Sequence, residues 1–132
     1  MPIRIVRLGS DRHPDEGLRI GTVRRPPRGV AKARFATNNW YDVWLPDIAP
    51  SPALVALAMA ATTDRDWARF AAKYRAEMKV SPASHLLDLL AAVSHTTNVS
   101  VGCYCEDEAR CHRAVLRELL VDRGASIFSR LP

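Results

Sequence analysis

The stretch VSVGCYCEDEARCHRAVLRELLVDRG, residues 99–124, decides the fold. Its first seven residues are short, apolar and rich in strand formers, which marks a β-strand. The acidic run of Glu106, Asp107 and Glu108 breaks that pattern. From Cys111 onward Val115, Leu116, Leu119 and Leu120 recur at helical spacing, and Gly124 stands where a helix ends in a left-handed C′ position. Residues 125–131 then read as a closing strand. Strand, loop, helix and strand in one short run form a parallel crossover unit. We therefore expect an α/β fold: a single layered, Rossmann-like domain over residues 1–132, with a mostly parallel sheet and helices packed on it.

Upstream segments fit that frame. Residues 3–8, IRIVRL, alternate apolar and cationic side chains as a half-buried strand does, and residues 18–23 read as a second strand. Residues 24–29, RRPPRG, carry two prolines that would remove ladder donors, so they read as a stiff loop holding guanidiniums. A short extended piece runs through Val43 and Leu45. Three helices follow. Ser51 and Pro52 open the first, and Thr63 or Asp64 caps the second, whose Trp67, Phe70, Ala71, Tyr74 and Met78 form one stripe. Ser81 and Pro82 repeat the start signal for a third. Its Leu86, Leu87, Leu89, Leu90 and Val93 cover so wide a face that the helix is expected to be well buried.

The 132 residues include 19 Lys plus Arg against 14 Asp plus Glu, a formal net charge of +5. Residues 1–34 hold nine of the basic and three of the acidic side chains, so the positive excess lies in the N-terminal quarter. Composition near the globular average argues against a disordered or collagen-like chain. No apolar run is long enough for a membrane span, and the basic, broken start does not read as a secretory signal. Three cysteines, all between residues 103 and 111, make a poor disulfide framework, so a reducing, cytoplasmic setting is expected.

Chemistry-bearing residues gather at the turn from strand to helix. Parallel sheets bind ligands outside the carboxyl ends of their strands, where helix N-termini present unpaired NH groups. Three readings compete there. In the first, Cys103, Cys105, Cys111 and His112 are soft ligands for a divalent metal, zinc or iron. Against it, adjacent Cys111 and His112 diverge by about 100° on a helix of 3.6 residues per turn. No other cofactor is implied. In the second, Cys111 in a helix's first turn, beside His112 and Arg113, is a nucleophilic thiol, with Glu106 as an assisting carboxylate; the neighbouring acids oppose its ionisation. In the third, Arg25 and Arg28 of the stiff loop, with Arg113, Arg19 and Arg7, converge on an anion such as a phosphorylated or nucleotide-like small molecule. Nucleic-acid binding by the basic quarter, with Trp40, Tyr41 or Trp44 as stacking partners, is the alternative.

The combination of Cys105, Glu106, Cys111, His112 and Arg113 with Gly17 and Arg19, Arg28 and Gly29, Pro50 and Ser51, and Phe70 and Tyr74 resembles the bacterial domain-of-unknown-function 488 family, DUF488, which includes YeaO-like proteins. The resemblance spans nearly the whole chain and implies a small cytosolic α/β protein. YeaO-like members often place a tryptophan before the proline of the upstream loop. Arg25 and Pro26 stand there in this chain, which marks a distinct branch.

Overall fold

The structure is a computed structural model, and it describes residues 2–105 and 111–128. Among these, strands β1 (Ile3–Arg7), β2 (Leu18–Gly21), β3 (Val43–Trp44) and β4 (Val99–Cys103) pair in the order β1-β4-β2-β3, every neighbour parallel. Helices α1 (Pro52–Ala60), α2 (Asp64–Glu77) and α3 (Ala83–Val93) connect β3 to β4, and α4 (His112–Asp122) follows β4. The expected α/β architecture with a parallel sheet is therefore present. No helix among the described residues is long and apolar enough to cross a membrane.

Strand periodicity gives the sheet two chemically different faces. In register across β1, β4 and β2 lie Ile5, Val101 and Ile20; one residue earlier lie Arg4, Ser100 and Arg19. The apolar set joins Ile3 and Val99 in a core with Phe70 and Tyr74 of α2, Leu87 and Leu90 of α3, and Leu116 and Leu120 of α4. Leu87, Leu116 and Leu120 are 0% exposed, and burying each contributes about 1.5–3 kcal/mol.

The polar face is covered differently. Residues 8–17 join β1 to β2 without a helix, and the fully buried Arg19 guanidinium holds them by donating to the Ser10 carbonyl oxygen at 2.9 Å, and donates also to that of Asn39 at 2.8 Å. It also forms a two-pronged pair with Glu16, both contacts 2.9 Å, while Ser100 Oγ donates to the same carboxylate at 3.0 Å. Burial raises the Glu16 pKa, but the Arg19 hydrogen bond and charge outweigh it, with the His13 backbone and Ser100 adding; the carboxyl stays below its ordinary range. Gly102 completes the packing: a Cβ there would lie 2.5 Å from the Val6 carbonyl oxygen.

Helix starts follow their sequence signals with one exception. Ser51 caps α1 by accepting from the Leu54 NH, and Thr63 and Asp66 form a reciprocal capping box at α2. At α3 the N-cap is Pro82, with no side-chain cap, so Ser81 does not play the role its sequence context suggests. Nor is α3 buried all round. Leu87 and Leu90 enter the core, but Leu89 is 57% exposed, because the helix meets its neighbours along one stripe only. Gly124 ends α4 at φ +79°, as expected of a C′ glycine.

The expected closing strand shrinks to one parallel bridge between Ile127 and Ile3. The Ile3 NH donates to Ser126 and the Phe128 NH donates to Ile3, and Phe128 then stacks under the Arg4 guanidinium at 3.8 Å. The end of that expected strand lies outside the described residues.

Candidate functional site

The carboxyl ends of β1, β4 and β2 and the start of α4 open onto one cleft of about 1190 Å³. Its rim carries Arg7 from β1 and Arg25 and Arg28 from the proline loop; Cys103, Cys105, Cys111 and His112 line it from β4 and α4. The loop and the helix start, far apart in sequence, thus share one cavity. Two side chains hold the loop in place. Tyr104 Oη donates to the Arg25 carbonyl at 2.9 Å, and Arg24 donates to the carbonyls of Pro50 (3.0 Å) and Ala49 (3.2 Å). Arg24 is thereby committed to structure, whereas Arg25 and Arg28 are exposed.

The remaining arginines divide. Arg7 Nε donates to the Tyr104 carbonyl at 3.3 Å, on the cleft rim. Arg113 is 4% exposed and donates to the Cys105 carbonyl at 2.6 Å, so it ties the end of β4 to α4. Glu118, about one and a half helical turns further along α4, pairs with Arg75 of α2. Arg19, expected among the anion contacts, is a correction: its guanidinium is enclosed with Glu16 on the polar face of the sheet and does not line the cleft.

At the cleft floor, His112 has a defined tautomer. Its Nε2 lies 2.7 Å from the Thr22 carbonyl oxygen and 3.2 Å from Thr22 Oγ1, whose own proton goes to the Gly102 carbonyl at 3.0 Å. A carbonyl only accepts, so Nε2 carries the hydrogen. The lone pair therefore resides on Nδ1, 3.8 Å from Cys111 Sγ. Burial pulls the His112 pKa down to about 4, against the Thr22 bond and the Cys105 charge, so the ring is neutral at pH 7. The Tyr74 ring meets it edge-on, with centroids 5.6 Å apart, and Tyr74 Oη is itself anchored to the Ile48 carbonyl at 2.7 Å.

The three thiols are not equivalent. Cys103 and Cys111 are each 2% exposed, while Cys105 lies just past β4 and is exposed. The Cys105 NH nevertheless donates to Cys103 Sγ at 3.4 Å, and the Cys103 and Cys111 sulfurs lie within 4.8 Å of each other. Hydrogen bonds from Cys103 and Cys111, with the Arg113 charge adding, draw the Cys105 thiol down despite its desolvation. Cys103 is driven up, by its bond to Cys105 first. For Cys111 the Cys103 bond lowers the pKa, but Cys105 and burial prevail and push it up to about 11. The expected support from an imidazolium is also missing, since His112 is neutral. Cys111 stands at the N-cap of α4 as a buried thiol. Glu106, the candidate assisting carboxylate, lies outside the described residues.

Sequence reasoning missed Thr22, Tyr74 and Tyr104, which orient His112 and the loop. No local signal marks Thr22, because its partner is 90 residues away. Of the aromatics assigned to nucleic acid, Tyr41 is 3% exposed and packs over Gly21, whereas Trp40 lines the cleft and Trp44 donates to the Val23 carbonyl at 2.7 Å.

Comparison with known proteins bears on the same residues. Uncharacterised proteins of Mycobacterium tuberculosis strain H37Rv and of Mycobacterium bovis are each 30% identical over 129 residues, covering 92% of this chain and 95% of theirs. No solved structure gives a significant match. The family model described as the active DUF488-N3 subclade, DUF488-N3a, matches residues 3–124, a span holding every cleft residue named above, and the chain belongs to the DUF488 family.

Proposed function

We propose that the cleft binds a phosphorylated, nucleotide-like small molecule. The observation that carries this reading is the convergence of Arg7, Arg25 and Arg28 on the cavity that also holds the Cys-His start of α4. Guanidinium forks suit phosphate oxygens, and Pro26, Pro27 and the Tyr104 bond limit the loop's motion, so little ordering cost falls on binding. The cleft lining also carries the apolar Val55, Met59, Trp67 and Phe70, together with Trp40. Trp67 is held by stacking on the buried Phe70 at 4.8 Å, and a fixed aromatic face suits a planar ligand ring. A lining that combines basic and apolar side chains matches a ligand with a charged end and a flat end better than it matches free phosphate.

Calorimetric titration with adenosine 5′-monophosphate, ribose 5-phosphate and adenosine tests this. The nucleotide should bind tightest, the sugar phosphate more weakly and the uncharged nucleoside weakest. Equal binding of nucleotide and nucleoside would refute the anionic contact. Stoichiometric, salt-sensitive binding of single-stranded DNA or RNA with no response to the nucleotide would favour the nucleic-acid alternative.

A further inference from the structure

We propose that Cys103, Cys111 and His112 form a three-ligand zinc site at the floor of the cleft, its fourth coordination position open to the cavity. The two sulfurs and a ring nitrogen of His112 all lie within 4.8 Å of one another. Tetrahedral zinc with Zn–S near about 2.3 Å and Zn–N near about 2.0–2.1 Å separates its ligand atoms by roughly 3.5–4 Å. The 3.8 Å between Cys111 Sγ and His112 Nδ1 already falls in that range.

The orientation of the imidazole is the second observation. Zinc-bound histidines donate their other ring NH to a carbonyl or carboxylate, which fixes the tautomer and the ring plane. Here Nε2 is held by the Thr22 carbonyl at 2.7 Å, and Tyr74 packs edge-on against the ring. The nitrogen left with a lone pair is the one beside the thiols. Three donors thus lie within 4.8 Å of one another before any ion arrives. They come from two elements, Cys103 from β4 and the adjacent pair from the start of α4, so the divergence of Cys111 and His112 does not prevent closure: Cys111 is at the N-cap, with extended backbone at φ −130° and ψ 152°, and not on the helix proper.

Binding replaces two S–H bonds with two Zn–S bonds and releases both protons to solvent, with His112 contributing its neutral lone pair. Cys105, which is exposed, stays outside the three-ligand set. The site stands on the thiol and imidazole geometry alone and does not depend on the nucleotide reading.

The test is cobalt(II) titration of the untagged, chelator-stripped full chain, followed by displacement with zinc. Expected are one ion per chain, a thiolate-to-cobalt charge-transfer band with tetrahedral visible absorption, and loss of both on adding zinc. Cys111→Ser and Cys103→Ser should weaken binding by more than about 100-fold, beyond the usual cost of losing an outer-shell partner. Cys105→Ser should keep the band and an affinity of the same order. Wild-type protein that gives no charge-transfer band, or binds less than one ion, would overturn the site whatever the variants do. An equal loss in Cys105→Ser would overturn the three-ligand assignment.

Discussion

His112 Nε2 donates its proton to the Thr22 carbonyl oxygen at 2.7 Å, and this bond between residues 90 apart joins the end of β2 to the start of α4. It sets the chemistry of the cleft floor, because the lone pair must then lie on Nδ1, facing Cys111. In metal-free protein at pH 7, two-dimensional ¹⁵N NMR should show neutral imidazole with hydrogen on Nε2. A spectrum with hydrogen on Nδ1 would contradict the assignment.

Arg25 and Arg28 are expected to supply most of the attraction for a phosphate group. A hydrogen bond to a charged group contributes about 1.5–3 kcal/mol, so each Arg→Ala change should weaken nucleotide binding about tenfold or more. Arg65→Ala with Arg69→Ala, two exposed positions on α2 that do not line the cleft, should leave the affinity unchanged. Calorimetry on the four variants measures this. Equal losses in both pairs would point to general electrostatic attraction.

Accessibility orders the thiols. Iodoacetamide followed by peptide mass spectrometry of metal-free protein should find Cys105 modified first, with Cys103 and Cys111 modified only on unfolding, since each is 2% exposed. Early labelling of Cys111 would mean that the floor of the cleft is open.

The enclosed pair of Glu16 and Arg19 makes stability depend on acid. Glu16 has a folded pKa below its ordinary value of 4.5, so the stabilisation it contributes is fully present above that value and is lost as pH falls through the folded pKa. Arg19→Ala leaves a carboxylate buried without its partner and should cost about 3–5 kcal/mol, and Glu16→Gln should flatten the acid limb of the stability profile. Urea unfolding between neutral pH and the acid range checks both. An unchanged midpoint in Arg19→Ala would show that the loop over the polar face is not held by this pair.

Much of the scaffold was legible in local patterns. Periodicity located β1, α2 and α4, Ser-Pro start signals located α1 and α3, a β-rich run located β4, the strand-loop-helix-strand pattern from residue 99 onward identified the parallel sheet, and the prolines marked the arginine loop. What escaped depends on distance or on averaging over residue types. A fully buried arginine cannot be told from a surface one by composition, so nothing local in the sequence marks Arg19 as the enclosed partner of Glu16. Leu89 read as core because wide apolar faces do not reveal how many neighbours a helix has. The site was legible as a set of residues but not as an arrangement. Exposure and mutual contact distinguish Cys105 from Cys103 and Cys111, and the Thr22 bond that orients His112 exists only once β2 and α4 meet.

The location of the bound anion is the most direct test. In ¹⁵N-labelled protein titrated with adenosine 5′-monophosphate, the amide resonances of Arg25, Arg28, Tyr104, Cys105 and His112 should shift together along one saturating curve. Shifts confined to amides away from the cleft, or no saturable shifts at all, would contradict the assignment of the Arg loop and the Cys-His helix start to a single binding site.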